Sequence, residues 1–290
     1  MFYLLLGDCT LTKIKIIENP GRQPVGTLKI WLGESLKKLN FFPKEIYFAF
    51  FENSQQLETL IQRYGKRTLS AQEISLRAKM LSRYIQFTAY LSSEFRNDRI
   101  PPIIIVKKDS EISKEDILHE VAHLKEDEEG WIKIIEGTLE LLYADWKGKW
   151  SFILHEIFFY RIGQEIHDFF AIEMMTRYQL FEEVFKEKKR RLNERLKFLK
   201  YLLNSQDKFD KFSWTTRIAL LTTLPPSYPQ KEDEEKLEKI VINHISQMGM
   251  EPKYRKIKAI VSQLESPPKV ANIYKCGAEI IELALEFLEK

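Results

Sequence analysis

Two histidines four residues apart, with a glutamate directly after the first, are the residues of this chain best suited to catalytic metal chemistry. His119, Glu120 and His123 lie in the segment ILHEVAHLKEDEEGW, residues 117–131. Residues four apart share one face of a helix, so both imidazoles can point at one metal ion. Glu120 is rotated by about 100° from His119, so its carboxylate is better placed to contact a water on the metal than the metal itself. The H-E-x-x-H spacing therefore predicts a zinc site with Glu120 as general base.

The chemistry follows from what zinc does to water. Zinc lowers the pKa of a bound water to about 7, so an adjacent carboxylate can remove its proton and later deliver it to a leaving amine. The alternative is an ordinary helix that carries two structural histidines. The segment has a helix-start signature, with Ser113 as a cap and Asp116 three residues later. Apolar residues surround the motif, so we expect it to lie on a packed helix.

A catalytic zinc needs a third protein ligand from elsewhere in the chain, because three ligands plus an open water position are the rule. The acidic run at 126–129 is close in sequence, but we expect it to face solvent after the helix ends. A stronger source is GQEIHDFFAIEMM, residues 163–175, where ionisable groups on an apolar helix need partners. The polar residues of this segment are Gln164, Glu165, His167, Asp168 and Glu173.

These motifs resemble those of the gluzincin-like zinc peptidases, including their minimal archaeal and bacterial forms. The resemblance covers HEVAH, the strand IIIV before it and the downstream segment QEIHDFFA, about a third of the chain. It implies a zincin-like peptidase domain, and a downstream helix that reads E-x-x-A-D-x-F-A with the glutamate on zinc. When Asp168 is matched to the aspartate of that pattern, the ligand position falls on Gln164 and the small residue on His167. A neutral amide is a poor zinc ligand, so this departure implies a displaced ligand or weakened zinc binding.

Several side chains compete to replace the missing ligand. Asp168 has the right charge and ranks first, ahead of His167, which is intrinsically the better zinc ligand but replaces a small residue; Glu165 and Gln164 rank lower. The one that does not bind zinc can still orient an imidazole of the motif. Just upstream, His155 and Tyr160 are candidates either to stabilise an oxyanion or to pack in the core.

Composition limits the remaining possibilities. The 290 residues are 44% hydrophobic and 30% charged with a net charge of +3, which indicates a globular protein without the strong field of a nucleic-acid-binding chain. Cys9 and Cys276 stand far apart, which favours a reducing compartment. Because no run of 18 apolar residues and no signal peptide is evident, we predict a cytoplasmic protein without a membrane span. The high content of Lys, Glu and Ile suggests a thermophilic source.

The predicted fold is α+β, with a small N-terminal sheet and helices, the H-E-x-x-H helix, and a mostly helical second half. Strand patterns cover residues 2–17, 45–52 and 103–106, and helical spacing covers 27–39, 54–65 and 69–95. Long amphipathic patterns follow residue 150. The proline-rich segments at 225–230 and 265–269 are predicted to break this half. We therefore predict a peptidase domain over 1–224 and a C-terminal helical module over 225–290.

The basic run KEKKRR at 186–191 favours a solvated helix face over a nucleic-acid site, because glutamates and leucines alternate with its cations. The predicted cofactor is Zn²⁺ and the predicted partner is a peptide or protein substrate. An extended peptide would lie along a sheet edge so that its carbonyl meets the zinc. The alternative function is a binding or regulatory protein on the same scaffold, with weak or no hydrolysis.

Overall fold

The computed structural model describes residues 2–3, 12–17, 24–65, 70–84, 89–90, 101–108, 110–146 and 160–288. It confirms the predicted α+β class, with a small sheet in the N-terminal region and helices throughout the second half. The strands are β1 (Phe2–Tyr3), β2 (Lys13–Ile17), β3 (Glu45–Phe51), β4 (Ala89–Tyr90) and β5 (Ile103–Lys107). The first helices are α1 (Val25–Lys38), α2 (Ser54–Tyr64), α3 (Ala71–Tyr84), α4 (Lys114–Glu128) and α5 (Trp131–Trp146). The later helices are α6 (Tyr160–Arg177), α7 (Phe181–Leu202), α8 (Lys208–Thr222), α9 (Lys231–Gln247), α10 (Glu251–Val261) and α11 (Val270–Leu288).

The sheet has the strand order β1-β2-β3-β5-β4. Strands β2, β3 and β5 are parallel, with Phe48 opposite Ile16 on one side and Ile104 on the other, while β1 and β4 pair antiparallel at the edges. The side chains of Phe48 and Ile104 are fully buried. The aromatic and β-branched runs that predicted strands at 45–52 and 103–106 therefore form β3 and β5, whose near-continuous apolar sequences suit strands buried on both faces. Of the predicted strand region 2–17, the described residues form β1 and β2.

The prediction of one helix over 69–95 is wrong at its C-terminal end. Helix α3 ends at Tyr84, and Ala89 and Tyr90 form β4, which pairs with Val106 and Ile105 of β5. Helical spacing alone did not show that a short segment here would serve as an edge strand. Tertiary pairing decided the outcome, as is usual for short segments of mixed propensity.

Contacts within the chain divide it into two compact units, residues 1–125 and 126–290, and the boundary falls inside α4. The first unit contains the sheet. The second unit is helical, and in it α11 packs against α5 and α8, while α8 also packs against α6, α7 and α10. Gly277 of α11 lies so close to α5 that a Cβ there would come within 2.4 Å of Leu142 Cδ2. A small residue is what allows this close helix crossing.

The proline-rich segments break the second half as predicted. Helix α8 ends at Thr222 before the first of them and α9 begins at Lys231 after it. Helix α10 ends at Val261, and α11 begins at Val270. The predicted domain boundary before residue 225 stays a prediction. Across the described ranges, none of the helices combines the length and apolar character needed to cross a membrane.

Candidate metal centre

Helix α4, which carries the H-E-x-x-H motif, begins with the predicted cap. The backbone N–H and the hydroxyl of Ser113 each donate to Oδ2 of Asp116 at 2.8 Å, and the Ser113 Oγ accepts from the Asp116 N–H at 3.2 Å. This reciprocal pattern satisfies donors that the first turn of a helix leaves without partners. Glu115 and Asp116 in the same turn complement the positive end of the helix dipole. The start of α4, and hence the rotation of its later residues, is fixed locally.

The motif residues lie on a buried stretch of this helix. His119, Glu120 and His123 are 1%, 5% and 7% exposed, and they stand among fully or almost fully buried aliphatic residues. The Nε2 atoms of the two histidines are 3.1 Å apart, with their ring planes at 88°. The two imidazoles therefore meet at their Nε2 atoms, within hydrogen-bond distance of each other, and their role as metal ligands stays a prediction. Burial from water strengthens charge interactions between groups at this position.

A carboxylate joins the two imidazoles. One ligand atom each of His119, His123 and Asp168 forms a group in which all three atoms lie within 4.8 Å of one another. Asp168 stands in the middle of α6 and is half-buried. This buried His-His-Asp group could hold a metal ion.

The donor set is one that can hold a divalent metal ion, and its spacing can be compared with that of a zinc site. Zinc holds nitrogen and oxygen ligands at about 2.0–2.2 Å in a tetrahedron, so two of its ligand atoms lie roughly 3.3 Å apart. The Nε2 atoms of His119 and His123, at 3.1 Å, already meet this requirement. One oxygen of the Asp168 carboxylate lies within 4.8 Å of one ring nitrogen of each histidine.

Asp168 is also held by a cation. Nη1 of Arg191, on α7, donates to Asp168 Oδ2, and Nε of the same guanidinium donates to Glu187 Oε1 at 2.6 Å. Glu187 is fully buried and accepts a further bond from Arg190 at 2.9 Å. The guanidinium of Arg191 thus joins a buried carboxylate to the candidate metal ligand. Such a contact orients Asp168, and it also neutralises part of its charge.

The other candidate ligands of α6 have different surroundings. Glu165 is 3% exposed, and its Oε1 accepts from Arg195 at 2.5 Å and from Arg217 at 2.9 Å. Glu173, 1% exposed, accepts from the hydroxyl of Ser227. His167 and Gln164 are half-buried, and neither belongs to the His-His-Asp group. The choice of Asp168 over His167 as the third ligand stays a prediction, and the proximity of Asp168 to both histidines supports it.

Two expectations about charged residues are corrected. The acidic run at 126–129 does not begin after the helix, because α4 continues to Glu128 and Glu126 is fully buried. The basic run at 186–191 is not a wholly solvated face, because Glu187 and Lys188 are 0% and 1% exposed. Lys188 donates to carbonyls at the C-terminal end of α8, and Glu187 pairs with Arg190 and Arg191 of its own helix. The oxyanion candidate His155 lies outside the described residues, as does the Tyr160 side chain.

The residues that sequence reasoning missed are the arginines around α6. Arg191 and Arg195 are four residues apart on α7 and contact Asp168 and Glu165, which are three apart on α6. The signal was present as two charge patterns of helical spacing with opposite sign. Pairing them required knowing that α6 and α7 pack against each other. Charge spacing on a single helix does not contain that information.

Comparisons with known proteins do not add to this geometry. No protein-family model, no curated protein and no solved structure matches the chain.

Proposed function

We propose that this chain is a zinc-dependent peptidase in which His119, His123 and Asp168 bind the metal and Glu120 is the general base. The observation that carries this proposal is the grouping of two imidazoles and one carboxylate at the H-E-x-x-H motif. The same donor set also suits iron, but a glutamate directly after the first histidine is typical of zinc-dependent hydrolysis. The resemblance to gluzincin-like peptidases in HEVAH and QEIHDFFA supports the same class.

Each side chain has a defined role in this proposal. Zinc, when bound, would acidify a water and polarise the substrate carbonyl. Glu120 would be the group that takes a proton from that water and returns it to the leaving nitrogen of the substrate. Its 5% exposure limits competition from bulk solvent. Asp168 would complete the ligand set, and Arg191 would orient its carboxylate by donating to Oδ2.

The test combines metal analysis with cleavage of a peptide library. Protein purified without chelator is expected to contain one equivalent of zinc and to cleave peptides. Replacing Glu120 by Gln should leave zinc in place but reduce cleavage by a factor of about 10² to 10⁴, which is the usual contribution of a general base. Bound iron, or cleavage that Glu120→Gln does not affect, contradicts the proposal.

A matched control shows whether any loss of zinc is specific to a histidine of the proposed metal site. His244→Ala changes a half-buried histidine of α9 that is not part of the His-His-Asp group. It should retain both zinc and cleavage, whereas His119→Ala should lose both. Equal zinc content in these two variants would contradict the proposal that His119 binds the metal.

The Asp168 ion pair favours a second candidate function. Because Arg191 neutralises part of the Asp168 charge, the carboxylate is a weaker zinc donor than one without a cationic partner. A metal site of this kind suits a binding or regulatory protein with little or no hydrolysis. Stoichiometric zinc in the wild type without any cleavage of the library would favour this candidate over the peptidase.

A further inference from the structure

Two arginines of the helical unit share a single carboxylate oxygen. Nη1 of Arg195 on α7 and Nε of Arg217 on α8 both donate to Oε1 of Glu165, at 2.5 Å and 2.9 Å. Across the ranges that the structure describes, Glu165 is the one carboxylate that either guanidinium contacts. Each guanidinium carries five N–H donors in a fixed fork. Most of the donors of this pair are therefore left for another acceptor.

The neighbouring arginines of α7 differ in their charge balance. Arg190 and Arg191 contact, among other groups, the carboxylates of Glu187, Glu194 and Asp168. Arg195 and Arg217 together contact one, so their cluster keeps an excess of one positive charge. Buried or half-buried charges are normally paired, because removing them from water is costly. An excess of this kind indicates a place for an anion from outside the chain.

The surroundings of the pair hold it in a fixed geometry. The guanidinium of Arg217 stacks on the ring of Trp214 at 4.6 Å, and Trp214 stacks on Phe198 at 5.0 Å. Burial lowers the pKa of Arg195 below its ordinary value; the charge of Glu165 opposes that change and that of Arg217 adds to it. The side chains of both arginines remain about one-sixth exposed, at 15% and 17%. Solvent, and hence a ligand, can reach them.

The position of this pair relates it to the candidate metal ligand. Glu165 precedes Asp168 by three residues on α6, which corresponds to about 4.5 Å along the helix axis. An anion on Arg195 and Arg217 would therefore bind about one helical turn from Asp168. An acidic group on a peptide substrate fits this arrangement, because a planar guanidinium recognises a carboxylate with two parallel hydrogen bonds.

We propose that Arg195 and Arg217 form a carboxylate-binding site that selects acidic peptides. The identification of the carboxylate as part of a substrate rests on the proposed peptidase function, whereas the anion site itself does not. The carboxylate is either an acidic side chain or the C-terminus of the peptide. The two sources share the same chemistry and are separated by the choice of probe.

The test measures the binding of three tetrapeptides to the full chain, kept free of zinc by chelation, at low salt. The peptides are acetyl-Ala-Ala-Glu-Ala-amide, its Gln counterpart, and the Gln counterpart with a free C-terminal carboxylate. We expect at least one of the two acidic peptides to bind about tenfold or more tightly than the neutral one, because charge-assisted bonds to arginine are the strong ones. Which acidic peptide binds identifies the source of the carboxylate. Equal affinity for all three overturns the proposal.

Variants with opposite effects keep the test independent of folding defects. Arg217→Gln should abolish the preference for the acidic peptide while Arg195 still pairs with Glu165. Glu165→Gln should strengthen the preference, because it removes the carboxylate that competes for the same donors; a misfolded protein would not bind more tightly. Arg255→Gln changes an exposed arginine that pairs with Glu238, and it should leave the preference unchanged. A preference that survives Arg217→Gln overturns the site.

The outcomes also distinguish this inference from the proposed function. Selective binding without zinc, combined with no cleavage after zinc is added, would support the anion site and contradict the proposed peptidase activity. Cleavage that depends on Glu120, combined with equal binding of the three peptides, would support the peptidase activity and contradict the anion site.

Discussion

The histidine pair of α4 and the carboxylates of α6 are both polar groups on apolar helices, but they are stabilised in different ways. His119 and His123 lie one turn apart on one helix with their Nε2 atoms at 3.1 Å. Glu165 and Asp168 instead make ion pairs with arginines from other helices. The comparison shows that spacing on one helix brings the two imidazoles together, whereas the carboxylates depend on partners from other helices.

The physical reason for the difference is charge. A neutral imidazole can be buried at a lower cost than a charged carboxylate. A buried carboxylate is costly unless it is paired and hydrogen-bonded. Helix α6 therefore needs the arginines of α7 and α8, and a metal ion that binds Asp168 has to share it with Arg191. The strength of this ion pair determines how available the third ligand is.

Removing the arginine should produce the largest effect on stability. Arg191→Met takes the guanidinium from both Asp168 and the fully buried Glu187, which still contacts Arg190. We expect the free energy of unfolding to fall by about 3 kcal/mol or more, as for other buried ion pairs that lose one partner. Urea unfolding followed by circular dichroism measures it.

The control for this prediction is a surface ion pair of the same type. Arg255→Met removes a half-exposed arginine from its contact with Glu238 and should cost less than about 1 kcal/mol. Similar losses in both variants would show that the α6 carboxylates do not depend on buried pairing, and the contrast with α4 would disappear.

Removing one imidazole should affect the metal more than the fold. His119→Ala deletes one of three proposed ligands, and we expect the affinity for zinc to fall by more than about 100-fold, since even outer contacts of a metal site are worth about 10- to 100-fold. Competition with a coloured zinc chelator measures the affinity. If Asp168→Ala lowers the affinity as strongly, the carboxylate is a full ligand; if it has no effect, the α6 segment provides none through Asp168.

A buried lysine of α7 shows what burial does to a cation that contacts backbone carbonyls and no carboxylate in the described residues. Lys188 is 1% exposed, and its Nζ donates to the carbonyls of Leu221 and Thr223 at 2.9 Å and 2.8 Å, at the C-terminal end of α8. Burial lowers its pKa from 10.5 to about 7. Between pH 7 and 10.5 the unfolded chain holds a proton that the folded chain has lost, so stability rises with pH in this window. Below pH 7 both states are protonated and the penalty is constant.

The expected size is about 2 kcal/mol of added stability between pH 7 and 9 for the wild type relative to Lys188→Met. Chemical unfolding at pH 7, 8 and 9 checks it. Burial also raises the pKa of the Cys276 thiol to about 12, which lowers stability above pH 9, but both proteins share this effect. Parallel stability curves for the two proteins would contradict the prediction.

Parts of this molecule are determined by local sequence, and these parts were predictable. The aromatic run of β3, the Ser113 cap and the convergence of two imidazoles follow from spacing and residue type alone. The burial of Lys188 and Glu126, and the edge strand β4, depend on which element packs against which. Local patterns do not contain that information, so a charged run was predicted to be solvated where it is partly buried.

The smallest predicted effect concerns the start of α4. Ser113→Ala removes the hydroxyl that donates to Asp116 Oδ2 and accepts from the Asp116 N–H, while the backbone bond from Ser113 N remains. We expect a loss of about 1 kcal/mol, the usual value for a helix cap, and partial recovery in Ser113→Thr. Zinc affinity should not change, because His119 and His123 lie further along the helix and are held by their aliphatic neighbours. A parallel loss of zinc affinity would show instead that the cap positions the histidine pair. The geometry of the two imidazoles would then depend on the start of α4 as well as on their spacing.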